Sequence, residues 1–222
     1  MIDTFIAMFA MIKKHLKFPI YLLIAFAFSP ALAGSYDDFF QAIIRDHVGG
    51  VKRLLDAGID PNSRDAKGMP ALMVAIRRES PRSFELLLTQ PGIDVDATNA
   101  AGETALMLTA LAGDLDTSRR LLAEGALVQR PGWSPIHYAA SGPNTELARL
   151  LLDRGATVDA VAPNGTTPLM LAAQQGPEAT VTLLLERGAD PRRRNQRGLQ
   201  AVDFAESGGR EYMVERFQKL PR

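Results

Sequence analysis

Cysteine is absent from all 222 residues, which excludes disulfides, thiolate metal ligands and a cysteine nucleophile. Histidine is scarce: His15, His47 and His137 are the only three, too few for an ordinary His-rich metal site. Neither sign of charge is in excess, with 25 basic and 25 acidic residues, so nothing marks a dedicated nucleic-acid binder. No glycine-rich phosphate loop occurs. The apolar run at residues 18–28 is short of the ~20 residues a membrane-spanning helix needs. What remains is a globular composition, 46% apolar, in a chain long enough to bury a sizeable core.

The N-terminal residues have a separate character. Lys13, Lys14 and Lys17 precede the apolar run, and Ser29-Pro30 leads to Ala31-Leu32-Ala33, a small-x-small site ahead of Gly34. That is the arrangement of a secretory signal peptide covering residues 1–33, with Met11 as an alternative start. Left uncleaved, the same segment would be a membrane anchor. Its removal leaves 22 basic and 24 acidic residues, a net charge of −2. A signal of this type on a cysteine-free chain makes a bacterial periplasm, or secretion, the expected location, and such a domain does not depend on oxidative folding there.

Beyond residue 33 the chain repeats itself. One glycine ladder, Gly68, Gly102, Gly132, Gly165 and Gly198, is spaced 34, 30, 33 and 33 residues. A second, Gly58, Gly92, Gly125, Gly155 and Gly188, is spaced 34, 33, 30 and 33. A third ladder of small residues, Ala42, Ala75, Thr109, Ala139, Ala172 and Ala205, marks one helix per unit. Two independent glycine ladders with a period near 33 identify a solenoid.

The clearest unit spans residues 165–190. Leu169, Ala172 and Ala173 fall on one helical face, and Val181, Leu184 and Leu185 on a second. Thr167-Pro168 supplies an N-cap and a first-turn proline, and Gly188 follows the second helix where a left-handed cap is wanted. Helices this short cannot bury their apolar faces alone, so stacked copies must supply the core.

Gly165-Thr166-Thr167-Pro168-Leu169, the Ala-rich helix, the Leu-rich helix and Gly188-Ala189-Asp190 resemble an ankyrin repeat. The resemblance implies one all-α repeat solenoid over residues 34–222: stacked helix-turn-helix units joined by short β-hairpin fingers, about six helix pairs with capping repeats at both ends. Asp37-Asp38 would cap the first helix. Three residues are missing between Gly125 and Gly132, so one finger is clipped. His137 stands where the family's Thr-Pro-Leu-His motif has its histidine, and the implied role is a backbone hydrogen bond between repeats. His47 is expected to cap or line the end repeat.

The same resemblance implies no catalysis, no cofactor and a monomer that binds a protein partner through fingertips and the concave inner-helix face. The residues that follow the finger glycines are Met69, Glu103, Trp133, Thr166 and Leu199, positions the family leaves exposed. The inner-helix positions are Arg77, Arg78, Leu111, Ala112, Ser141, Gln174 and Gln175. Trp133, the sole tryptophan, stands beside the clipped finger, either as a partner anchor or as filler for the gap. Arg192, Arg193 and Arg194 form the one charge cluster, read as a solvated fingertip or as a site for an acidic partner or anionic headgroup. Membrane contact is expected only if the signal stays attached, and nucleic acid is not an expected partner. The alternative to a free binding module is a membrane-tethered structural scaffold.

Overall fold

A computed structural model describes residues 30–220. Twelve helices occur among them, in six antiparallel pairs. The inner helices are α1 (Pro30–Ile44), α3 (Ala71–Arg77), α5 (Ala105–Ala112), α7 (Pro135–Ser141), α9 (Pro168–Gln175) and α11 (Ala201–Ser207). Their outer partners are α2 (Val48–Asp56), α4 (Pro81–Leu88), α6 (Leu115–Ala123), α8 (Thr145–Asp153), α10 (Glu178–Glu186) and α12 (Glu211–Gln218). Each inner helix packs on the next inner helix, and the outer helices form a second row. None of the described helices is long and apolar enough to cross a membrane. Residues 1–29, which hold nearly all of the expected signal peptide, lie outside the described residues.

The ladders explain the stacking. Ala42, Ala75, Thr109, Ala139, Ala172 and Ala205 are all buried where successive inner helices meet. Small side chains there let the helices approach closely, and Val181 and Leu184 fill the space between inner and outer rows without any exposure. Every glycine of the two long ladders has positive φ, from +75° at Gly68 to +96° at Gly58. That left-handed backbone ends each outer helix and turns each fingertip.

Caps tie the repeats together. Thr104 and Thr167 accept the amide N–H groups of Met107 and Met170 at the starts of α5 and α9, both at 3.4 Å. Asp46 reaches into the next repeat and accepts the Ser83 amide N–H at 2.7 Å, satisfying a donor in the first turn of α4. Arg210 donates to the carbonyls of Ala172 at 2.8 Å and Ala173 at 3.0 Å, covering the end of the repeat before it.

Two expectations need correction. The fingers are not β-hairpins: among the described residues one isolated bridge, Arg64 with Pro70, is the only β pairing. Each full finger is instead closed by two backbone bonds at its tip, as from Asn99 N–H to the Glu103 carbonyl and from Gly102 N–H to the Asn99 carbonyl, both at 3.0 Å. In three of the four, a side-chain oxygen at the base adds two more, as when Asn99 Oδ1 accepts the amides of Ala101 and Glu103. With tips tied this tightly, no strand length remains to pair. Asp37 and Asp38 do not cap the first helix either, because α1 runs on N-terminally through Ala- and Leu-rich sequence to Pro30 and encloses them.

Candidate interaction face

The clipped finger is where the inner-helix face departs from its own pattern. Among the described residues it has no closing backbone bond like that of the four full fingers. Its chain is pinned sideways: the Leu127 amide donates to Asp96 Oδ1 at 3.1 Å, and Gln129 Oε1 accepts the Thr157 amide at 3.0 Å. With the tip gone, Trp133 stands uncovered at the start of α7 and is 37% exposed. Its ring meets His137 edge-on at 5.3 Å between centroids and Tyr138 at 6.4 Å. The indole therefore packs on its own helix and still presents a face to solvent.

Around it lies an apolar cup of about 210 Å³, lined by Leu111 from α5, Trp133, His137, Tyr138 and Ser141 from the α7 unit, and Leu171 and Gln175 from α9. Three successive repeats thus contribute to one depression. Leu111 is 45% exposed, a large apolar side chain with open solvent beside it. Of the residues expected from the sequence, Leu111, Trp133, Ser141 and Gln175 are brought together here. Tyr138 and Leu171 were missed. A signal for them exists: Val74, Leu108, Tyr138, Leu171 and Phe204 each stand one position before a small ladder residue and form a bulky row along the inner helices.

The cup's polar supports are committed inward. Tyr138 donates its phenol to Glu103 Oε1 at 3.1 Å, and Glu103 Oε2 accepts from Asn99 Nδ2 at 2.7 Å. Burial first, and then the Glu103 charge and hydrogen bond, push the Tyr138 hydroxyl up to about 12. His137 is fully buried; Nδ1 accepts the Ser134 amide N–H at 3.2 Å, so Nε2 carries the proton and donates to the Ala160 carbonyl at 3.1 Å. Burial lowers its pKa against the opposing pull of these bonds. With both ring nitrogens occupied, His137 has no lone pair to offer as a general base or metal ligand.

The other expected residues fall into two further depressions of the same face. Met69, Arg77 and Arg78 line one beside α1. Gln174 and Leu199 line another beside α11, where Gln174 Nε2 donates to Ser207 Oγ at 3.2 Å. Ala112 is exposed at the end of α5. The fingertip positions are less open than expected: Met69, Glu103 and Leu199 are half-buried and Thr166 is buried, so Trp133 alone is exposed. Thr166 differs from the other tip residues in being almost wholly buried, at 2% exposure. In the arginine finger, Arg193 pairs with Asp159 at 3.4 Å and Arg194 donates to the Gly198 carbonyl at 2.6 Å, so both guanidinium groups hold the finger in place. Arg192 is exposed, and its carbonyl accepts from Gln200 at 3.0 Å.

Among the described residues, no group of three or more His, Asp or Glu side chains could hold a metal ion. The face carries three depressions between helices, of which the one at Trp133 is mainly apolar.

Comparison with known proteins agrees with this geometry. A family model described as ankyrin repeats (3 copies) matches residues 39–131 and again 107–195. The chain is 32% identical over 157 residues to the nuclear factor NF-kappa-B p105 subunit of Gallus gallus, covering 68% of this chain and 16% of that protein. It is 26% identical over 173 residues to a putative ankyrin repeat-containing protein of Treponema pallidum, covering 76% of this chain and 47% of that one. The chain thus spans less than half the length of these relatives. Among solved structures, an ankyrin repeat domain from Acinetobacter baumannii has a TM-score of 0.68 at 26% identity, covering 81% of this chain and 95% of that one. A chain in the structure of a predatory endopeptidase from Bdellovibrio bacteriovorus in complex with an immunity protein has a TM-score of 0.72 at 25% identity, covering 83% and 98%. Ankyrin repeats are protein–protein interaction modules, generally without catalytic activity. With its glycine ladders, paired helices and matched repeats, this chain belongs to the ankyrin-repeat family.

Proposed function

We propose that this chain is a non-catalytic binding module, exported to the periplasm, that holds one protein partner against its inner-helix face with Trp133 and Leu111 as anchors. One observation carries the reading: three successive repeats leave two large apolar side chains exposed around a single cup, at the one place where the finger is clipped. Exposed tryptophan is enriched among residues that dominate interface energetics, and rigid repeats lose little freedom on binding. The Bdellovibrio complex supports a protein as partner, since it joins two proteins and one of its chains shares this fold. The Lys-rich start, apolar run and Ala31-Leu32-Ala33 site support export.

Two measurements test the proposal. Capture of binding proteins from a periplasmic extract, repeated with Trp133→Ala, tests the anchor; equal retention of the same protein by both forms would remove the cup from the interface. N-terminal sequencing of the protein recovered from cells tests export. A chain beginning at Gly34 in the periplasmic fraction supports it, and an intact N-terminus in the cytoplasm contradicts it.

A further inference from the structure

The first depression of the inner-helix face differs chemically from the Trp133 cup. Its floor is apolar, with Phe40 and Val74 buried and Ile44 and Met69 half-buried. Its rim is cationic: Lys67, Arg77 and Arg78 are all exposed. Among the described residues none of these three takes part in an ion pair. Among the described residues, the only polar contact of their side chains is the 4.0 Å approach of Arg77 Nη1 to Met69 Sδ. Asp65 is the one carboxylate in the lining, and its Oδ1 is held by the amides of Lys67 at 2.8 Å and Met69 at 2.9 Å. The lining thus carries three cations against one carboxylate.

Arg77 and Arg78 stand side by side at the rim of an apolar floor with no carboxylate among the described residues paired to either, whereas several arginines on other parts of the surface are paired. Arg120 pairs with Glu85 at 2.7 Å, Arg187 with Asp153 at 2.8 Å and Arg216 with Glu178 at 3.2 Å. Arg64, in the same finger as Lys67, is spent on backbone carbonyls of Gly68 and Thr98. Arginine recognises carboxylates through paired, charge-assisted hydrogen bonds, and two adjacent arginines at the end of α3 can hold more than one carboxylate.

We infer that the groove between α1, the first finger and α3 binds an acidic segment of the protein partner, its carboxylates on Arg77, Arg78 and Lys67 and an apolar side chain on Phe40 and Met69. The inference rests on reading the inner-helix face as the protein-binding face, and it names the chemistry of what binds there. At about 210 Å³ the groove is smaller than the ~300–1,000 Å³ of typical small-molecule sites, so it suits one or two peptide side chains. The apolar floor disfavours a bare phosphate backbone, and the chain as a whole has no basic excess to hold a polyanion.

The test is an NMR titration of the isotope-labelled chain with a short peptide of alternating glutamate and leucine, beside a control with glutamine for glutamate. The expected result is a saturable set of amide shifts over residues 65–78 that weakens at least tenfold between ~0.05 M and ~0.5 M salt, where charge screening shortens to a few ångströms. The same loss is expected with the glutamine control and with the double variant Arg77→Glu, Arg78→Glu, whose unchanged melting midpoint verifies the fold. Equal binding of the glutamine peptide, no shifts in this region, or full binding by the double variant overturns the inference. Shifts there with a single-stranded oligonucleotide or phosphatidylglycerol vesicles but not with the acidic peptide also overturn it. Trp133→Ala separates the two sites: the peptide shifts at residues 65–78 should persist in that variant even where partner capture is lost, and their disappearance would contradict a distinct groove.

Discussion

His137 joins two repeats through one ring: Nδ1 accepts the Ser134 amide at 3.2 Å, and Nε2–H donates to the Ala160 carbonyl, 23 residues on, at 3.1 Å. Because burial lowers its pKa in the fold, the unfolded chain, titrating near ~6.5, binds more protons than the folded one just below that pH. The stabilisation is therefore complete above ~6.5 and is lost as pH falls toward the depressed folded value. Thermal melts from about pH 7.5 to about pH 5.5 should show a falling midpoint, and His137→Gln should flatten that slope. An unchanged slope in the variant would place the pH dependence elsewhere.

Replacing His137 by Ala removes both partners at once. The Ser134 amide and Ala160 carbonyl would each lose a buried hydrogen bond, at roughly 1–3 kcal/mol per group. Denaturant unfolding should register a loss in that range or above, and one below ~0.5 kcal/mol would contradict the structural role.

Tyr138 should ionise late. Held at about 12 by burial and Glu103, it remains protonated while ordinary tyrosines titrate near ~10. Ultraviolet titration should resolve a late step that vanishes in Tyr138→Phe. Because Glu103 carries charge, loss of its bond should cost about 1.5–3 kcal/mol before allowance for its partial exposure, which lowers the figure.

Core substitutions test the register. Leu184 is fully buried, and Leu184→Ala should cost roughly 2–5 kcal/mol. Leu127, 53% exposed, is the matched control, where alanine should stay within about 0.5 kcal/mol. A Cβ at Gly176 would collide with the Ala140 carbonyl of the neighbouring inner helix, so Gly176→Ala should destabilise by roughly 1–3 kcal/mol by forcing α7 and α9 apart. Equal melting midpoints for Leu184→Ala and Leu127→Ala would undo the assigned stacking.

The repeat period made the stacking legible, because each ladder residue answers a local steric demand: positive φ at Gly58 and Gly188, small volume at Ala139 and Ala172. The inter-repeat role of His137 was legible only through the resemblance of its motif to that of the family. The cup was legible only in part. Leu111 and Trp133 announce themselves by size, but Tyr138 and Leu171 look like core residues in a helix pattern. They are half-buried, as Leu108 and Phe204 are at the equivalent places of other repeats, and their meeting in one depression is a relation between repeats. Thr166 misled in the opposite sense, being buried at a position the fingertip pattern marks as exposed. The three arginines of the last finger read as a charge cluster, and only the fold pairs Arg193 with Asp159 and Arg194 with Gly198.

The central claim is that the exposed indole of Trp133 anchors a protein partner, and capture with and without it is the direct measurement. The captured protein's affinity should fall by at least about 30-fold in Trp133→Ala, corresponding to the ~2 kcal/mol of an interface anchor. The melting midpoint of the variant is measured alongside, because the indole also packs on His137 and Tyr138. Undiminished affinity for the same protein, with the variant folded, would contradict the account.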